Sequence, residues 1–105
     1  MAIQSGTTHF VDDISATAQT AVAGASDFKR HQFHFDSTGT WSVVIEMSPD
    51  GGTAWVECSE ALSLNSDTGS IYLVGAFADL RANMTRTSGN LDGWVVQTDS
   101  HPLRW

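Results

Sequence analysis

Residues 41–47, WSVVIEM, set Trp41, Val43, Ile45 and Met47 on one side of an extended chain and Ser42, Val44 and Glu46 on the other. A period of two is the side-chain repeat of a β-strand, so this run predicts a strand with one face on a core and one in solvent. SPDGG and TAWVEC follow at once, a turn-rich stretch and a second strand-like run, so residues 41–58 read as a β-hairpin. An isolated hairpin cannot bury its apolar face, and further strands must cover it.

Those strands are visible elsewhere. FKRHQFHF (28–35) places Phe33 and Phe35 on one face and His34 on the other, and LRANMTR directs Leu80, Ala82 and Met84 inward. IYLVGAF (71–77) is apolar on both faces, which predicts a strand in the middle of a sandwich. WVVQT (94–98) reads as the last strand, and DSTG, ALSLNSDTGS and TSGNLDG read as turns or polar connections. Serine, threonine and glycine supply 32 of the 105 residues, a composition suited to strands joined by turns. The chain is long enough for one domain. We expect an antiparallel β-sandwich or jelly roll of about six to eight strands over residues 27–100. Residues 1–26 contain isolated Phe10, Val11, Ile14 and Val22 without sustained period, and read as an N-terminal arm or an irregular first strand. HPLRW (101–105) reads as a C-terminal tail, its Pro102 unable to donate to a ladder.

Twelve acids against five bases give a net charge of −7, and Lys29 is the only lysine. Such a field repels phosphate backbones, so nucleic acid is not an expected partner. No apolar run approaches the roughly 18 residues of a membrane helix, and the first residues lack the features of a signal peptide. Membrane association is therefore not expected, and the protein is expected to be soluble. Cys58 has no second cysteine to pair with in the chain and is expected as a buried thiol.

Catalytic, cofactor and metal chemistry are not expected. Two acids set for glycosidic work stand about 5–10 Å apart across a cleft, whereas Asp12, Asp13, Asp50, Glu57, Glu60 and Asp92 neighbour turn residues or lie on polar strand faces. Asp67 and Asp92 offer oxygen ligands for calcium but lack EF-hand spacing. His31 and His34 are three apart, which sends them to opposite faces of a strand, and His9 and His101 lie near the two ends, so the histidines are expected at the surface or at an interface. No Gly-x-Ser-x-Gly elbow and no glycine-rich phosphate loop is present. Trp41, Trp55, Trp94 and Trp105 exceed what a small sandwich core needs, and tryptophan favours interfaces.

The turn SPDGGTAW resembles the Asp-box hairpin of sialidase propellers, with Ser48, Asp50, Gly51, Gly52 and Trp55 at the matching positions and Ala54 where the pattern has threonine. A propeller needs several four-stranded blades, so the expected role is a self-capped structural turn. Taken together, GTWSVVIEMSPDGGTAW (39–55), GSIYLVGAFADLRANMT (69–85) and SGNLDGWVVQ (88–97) resemble a pattern of small bacteriophage virion proteins, with Arg81 at the strand arginine. The resemblance implies a capsid decoration or cement protein, or a tail or adaptor component. It implies residence in the virion after synthesis in the host cytoplasm, contacts with the major capsid protein or other virion subunits, and a homo-oligomer. Phe10, Val11, Ile14 and Trp105 are the candidate interface residues. Discoidin-like jelly rolls show a similar hairpin, so a carbohydrate-binding module whose exposed tryptophans stack on a glycan is the alternative.

Overall fold

A computed structural model describes residues 5–75 and 77–98. Among them are nine strands: β1 (Ser5–Ile14), β2 (Ala18–Ala21), β3 (Arg30–Ser37), β4 (Thr40–Ser48), β5 (Val56–Glu57), β6 (Leu62–Asn65), β7 (Thr68–Val74), β8 (Asp79–Arg86) and β9 (Leu91–Thr98). A single 3-10 turn spans Ala25–Asp27. One sheet has the order β1-β9-β3-β7, and the other has β2-β8-β4-β5 with β6 also on β4. Every pairing is antiparallel. The antiparallel β-sandwich expected from the alternation is what the chain forms, with short β2, β5 and β6 bringing the count above the expected range.

The core follows from period two. β3 turns His31, Phe33 and Phe35 inward, β9 turns Leu91 and Val95 inward, and the facing sheet supplies Trp41, Val43 and Ile45 from β4 and Leu80, Ala82 and Met84 from β8. Phe10 meets Phe33 and Phe35 edge-on at centroid distances of 5.9 and 6.0 Å. Burial of these side chains is the main stabilising term, each worth about 1.5–3 kcal/mol relative to exposure.

Several expectations are corrected. Residues 5–14 and 18–21, read as part of an arm or an irregular first strand, are strands of the sandwich and not an arm: the bulged β1 pairs with β9 and β2 pairs with β8. Their period is hidden because β1 shifts register between His9 and Val11 and again between Val11 and Ile14, bulges that put extra residues opposite β9. Val11 is accordingly a core residue, and Phe10 and Ile14 pack against the core, not on an outer interface. Trp105 and the 101–105 tail lie outside the described residues. β7 is not central but an edge strand, paired with β3 alone, and its second apolar face is exposed. The hairpin at residues 41–58 is short, with β5 matching only Glu46 and Met47, while the connection after it forms β6. β4 gains its longest ladder from β8, a strand distant in sequence.

Candidate functional site

Three places on the sandwich carry polar or exposed apolar groups that the core does not explain. The first is the turn after β4. The Ser48 hydroxyl donates to Asp50 Oδ1 at 2.9 Å and accepts from the Gly52 amide at 2.7 Å. Asp50 Oδ1 also accepts from the Thr53 and Ala54 amides at 3.1 and 2.9 Å, and Trp55 Nε1 donates to the Gly52 carbonyl at 3.2 Å. Gly51 and Gly52 hold φ of 83° and 102°, the left-handed region that side chains avoid. Ser48, Asp50, Gly52 and Trp55 thus bond within the loop, and Gly51 supplies part of its left-handed backbone. Beside it, the Arg81 guanidinium lies 4.2 Å from the Trp55 ring centroid while its Nε donates to Glu46 Oε1 at 2.7 Å. This cover explains why Glu46, on the solvent side of the alternation, is buried.

The Ala54 amide, and next the Ser48 hydroxyl, hold the Asp50 carboxyl below its ordinary value of 3.8. A lowered folded-state pKa contributes stability that is present above the ordinary value and is lost as pH falls through the folded-state one. Asp50→Asn should therefore lower the melting temperature slightly at neutral pH and lessen its fall in acid. A melting profile matching the parent across that acid range would contradict the assignment.

The second place is the outer face of the first sheet. His9, Trp94, His34 and Ser70 stand in one row across β1, β9, β3 and β7. His9 stacks on Trp94 with centroids 4.6 Å apart and planes 12° from parallel, and its Nε2 lies 3.0 Å from Asp92 Oδ1. Asp92 Oδ1 also accepts from the Asp13 amide at 2.8 Å. Donor atoms of His9, Asp12 and Asp92 all lie within 4.8 Å of one another, a grouping that spacing along the sequence does not reveal. Asp67, the other candidate oxygen ligand, accepts from the Asn65 amide in the β6–β7 turn.

The third place is the open side between β7, the edge of the first sheet, and the β5–β6 stretch of the second. A groove of about 340 Å³ runs there between residues 58–62 and 70–73. Tyr72, which lines it, and Val74, on the same strand, are 52% and 61% exposed, and Val56 on β5 is 55% exposed. Cys58 is half-buried at the groove and its Sγ lies 3.4 Å from the Ile45 carbonyl. Burial, and then the charge of Glu46, raises its pKa above the ordinary thiol value and disfavours the reactive thiolate.

The remaining sequence candidates sort by burial. His31, expected at the surface, is in the core, with Nδ1 2.8 Å from Gln97 Oε1 and Nε2 3.1 Å from the Gly75 carbonyl. Trp41 is also in the core, whereas Trp55 and Trp94 are half-buried, each with a ring face engaged by Arg81 or His9.

No protein-family model and no curated protein matches the sequence. Solved structures resemble it in fold. A structure of Bacillus endospore appendages, described as a novel family of disulfide-linked pili, is 11% identical with a TM-score of 0.55 over 93% of this chain and 88% of that one. The Yersinia pseudotuberculosis-derived mitogen is 12% identical with a TM-score of 0.45 over 99% and 88% of the two chains. PirA is 12% identical with a TM-score of 0.40 over 90% and 83%. At 11% identity and a TM-score of 0.55, the first of these shows a likeness of fold alone.

Proposed function

We propose that this protein is a structural subunit that works by protein contacts, and more narrowly a bacteriophage capsid decoration protein. Its partners are further copies of itself and the major capsid protein, and its place is the virion. The observation that carries the reading is the edge strand β7, Thr68–Val74, which bears no charge and leaves Tyr72 and Val74 largely exposed. Natural edge strands are usually shielded by charges, proline or a covering element, so an uncharged apolar edge suits a neighbouring chain. Arg30 and Asp36 pair with the two ends of β7, opposite Val74 and Thr68. Two β7 edges meeting antiparallel would set Arg30 of one copy in the row of Asp36 of the other, about 14 Å away across three strand spacings. Arg30 Nη1 donates to the Tyr72 hydroxyl at 3.1 Å.

Catalysis forms no part of this reading. The alternative, sugar stacking on exposed tryptophans, is weakened because Trp41 is internal and Trp55 and Trp94 have engaged faces. Light scattering on the full chain and co-sedimentation with the particle test the proposal. The parent should associate, and Tyr72→Lys with Val74→Lys should stay folded but lose association, because both side chains are largely outside the core. A parent chain that stays monomeric, leaves particles bare and is retained on immobilised glycans would overturn it.

A further inference from the structure

On a regular strand His9 and Asp12, three residues apart, would face opposite ways. The two register shifts in β1 change this. Val11 remains in the core and Phe10 packs against it, while Asp12 and Asp13 together oppose Asp92 between the pairs Val11↔Gly93 and Ile14↔Leu91. His9 and Asp12 are exposed, and Asp92 is half-buried beside them. An imidazole and two carboxylates, drawn from strands 83 residues apart in sequence, thereby meet on the outer face.

The group is built unevenly for a purely internal ion pair. His9 Nε2 and the Asp13 amide both engage the same oxygen of Asp92, Oδ1. Among the described residues no hydrogen bond or ion pair engages the Asp12 carboxylate, and His9 is the sole cationic candidate in the cluster. Two carboxylates thus share one imidazole on a molecule already at −7. The parts that would hold a ligand geometry are present: the Trp94 ring fixes the plane of His9, the Asp13 amide orients Asp92, and Asn90 Nδ2 donates to Asp13 Oδ1 at 2.9 Å. Supporting contacts of this kind orient metal ligands and tune their affinity.

We propose that His9 Nε2, Asp12 and Asp92 form a binding site for a divalent transition ion of the zinc class, with water filling the remaining positions. The donor set selects the class, because imidazole nitrogen suits zinc, nickel and copper, whereas calcium and magnesium are held by oxygen alone. Zinc bonds of about 2.0–2.2 Å place tetrahedral ligand atoms about 3.3 Å apart. The 4.8 Å limit on the present separations leaves only small movements of exposed side chains to reach that geometry. The ion would take the place of the direct His9–Asp92 contact and staple β1 to β9. This site is independent of the open side and of the assembly role proposed above.

Titration calorimetry with zinc chloride and, separately, calcium chloride on the chelator-treated full chain tests the site, with quenching of tryptophan fluorescence by cobalt, absent in Trp94→Phe, as a second reading. One zinc per chain is expected, with calcium at least about a hundredfold weaker. His9→Ala should weaken zinc binding by about a hundredfold or more and Asp12→Asn by about tenfold or more, the scale on which even supporting residues act. His34→Ala, on the other side of Trp94, should leave binding unchanged. Zinc should raise the melting temperature of the parent and not that of His9→Ala. The proposal is overturned by absence of zinc binding at millimolar concentration, by equal affinity for calcium, or by undiminished binding in both His9→Ala and Asp12→Asn.

Discussion

Gly39→Ala is expected to lower stability by about 3 kcal/mol, at the upper end of ordinary overpacking effects, and the melting temperature by roughly 12–24 °C. Gly39 lies between β3 and β4, where a Cβ would stand 2.2 Å from the Ser88 carbonyl oxygen and 2.4 Å from its carbon. The opposing turn, between β8 and β9, is tied to this one. Thr38 N donates to the Asn90 carbonyl at 3.0 Å, Thr87 N to the Thr40 carbonyl at 2.8 Å, and Asn90 N to Thr38 Oγ1 at 2.9 Å. The obstructing atoms are backbone, so no rotamer change relieves the clash, and separating the turns breaks those bonds. Gly39 has no positive φ, which leaves the close approach as the whole cause. Gly51→Ala is the useful contrast: φ is 83° but a Cβ meets nothing within 4 Å, so only about 1–2 kcal/mol of conformational strain is expected. Thermal melting followed by circular dichroism checks both, and a Gly39→Ala protein that melts with the parent would refute the crossed-turn account.

Trp41→Ala should remove about 3–5 kcal/mol, the range for a large aromatic side chain deleted from a core. Trp41 is among the largest fully buried side chains and is flanked in the ladder by Leu64 on β6 and Arg86 on β8. Trp41→Phe should lose much less, under about 1.5 kcal/mol. Phenylalanine keeps most of the apolar volume, and the indole Nε1 that it removes is a buried donor without a partner among the described residues. An unpartnered buried donor is itself unfavourable by about 1–3 kcal/mol, which offsets part of the smaller ring's lost packing. Urea unfolding gives the two values. If alanine and phenylalanine are equally damaging, the indole N–H has a partner that this account lacks; if neither matters, Trp41 belongs to a surface after all.

The fate of the tryptophans shows where reading the chain succeeds and where it stops. WSVVIEM identified Trp41 as inward-facing through local alternation, yet an excess of tryptophan suggested interfaces, and composition cannot say which ring lies inside. The same limit applies to His31, whose parity with Phe33 and Phe35 points inward while its polarity suggested the surface. Gln97 and the Gly75 carbonyl resolve that conflict by satisfying both ring nitrogens in the core.

The ladder faces of β3, β4, β8 and β9 were legible because period two is a local property: each residue's side is set by its neighbours along the same strand. The turn SPDGGTAW was legible for the same reason, its bonds running between residues 48 and 55. Pairing is not local. β1 lost its alternation to bulges that make sense only against β9, and β7 read as central because both its faces are apolar, although strand order leaves it at an edge. The His9–Asp12–Asp92 grouping and the contact of Gly39 with Ser88 likewise join distant residues, and their geometry arises from sheet register and turn crossing. Those depend on which strands meet when the two sheets close on their core, a free-energy balance over the whole molecule that no short stretch of residues carries.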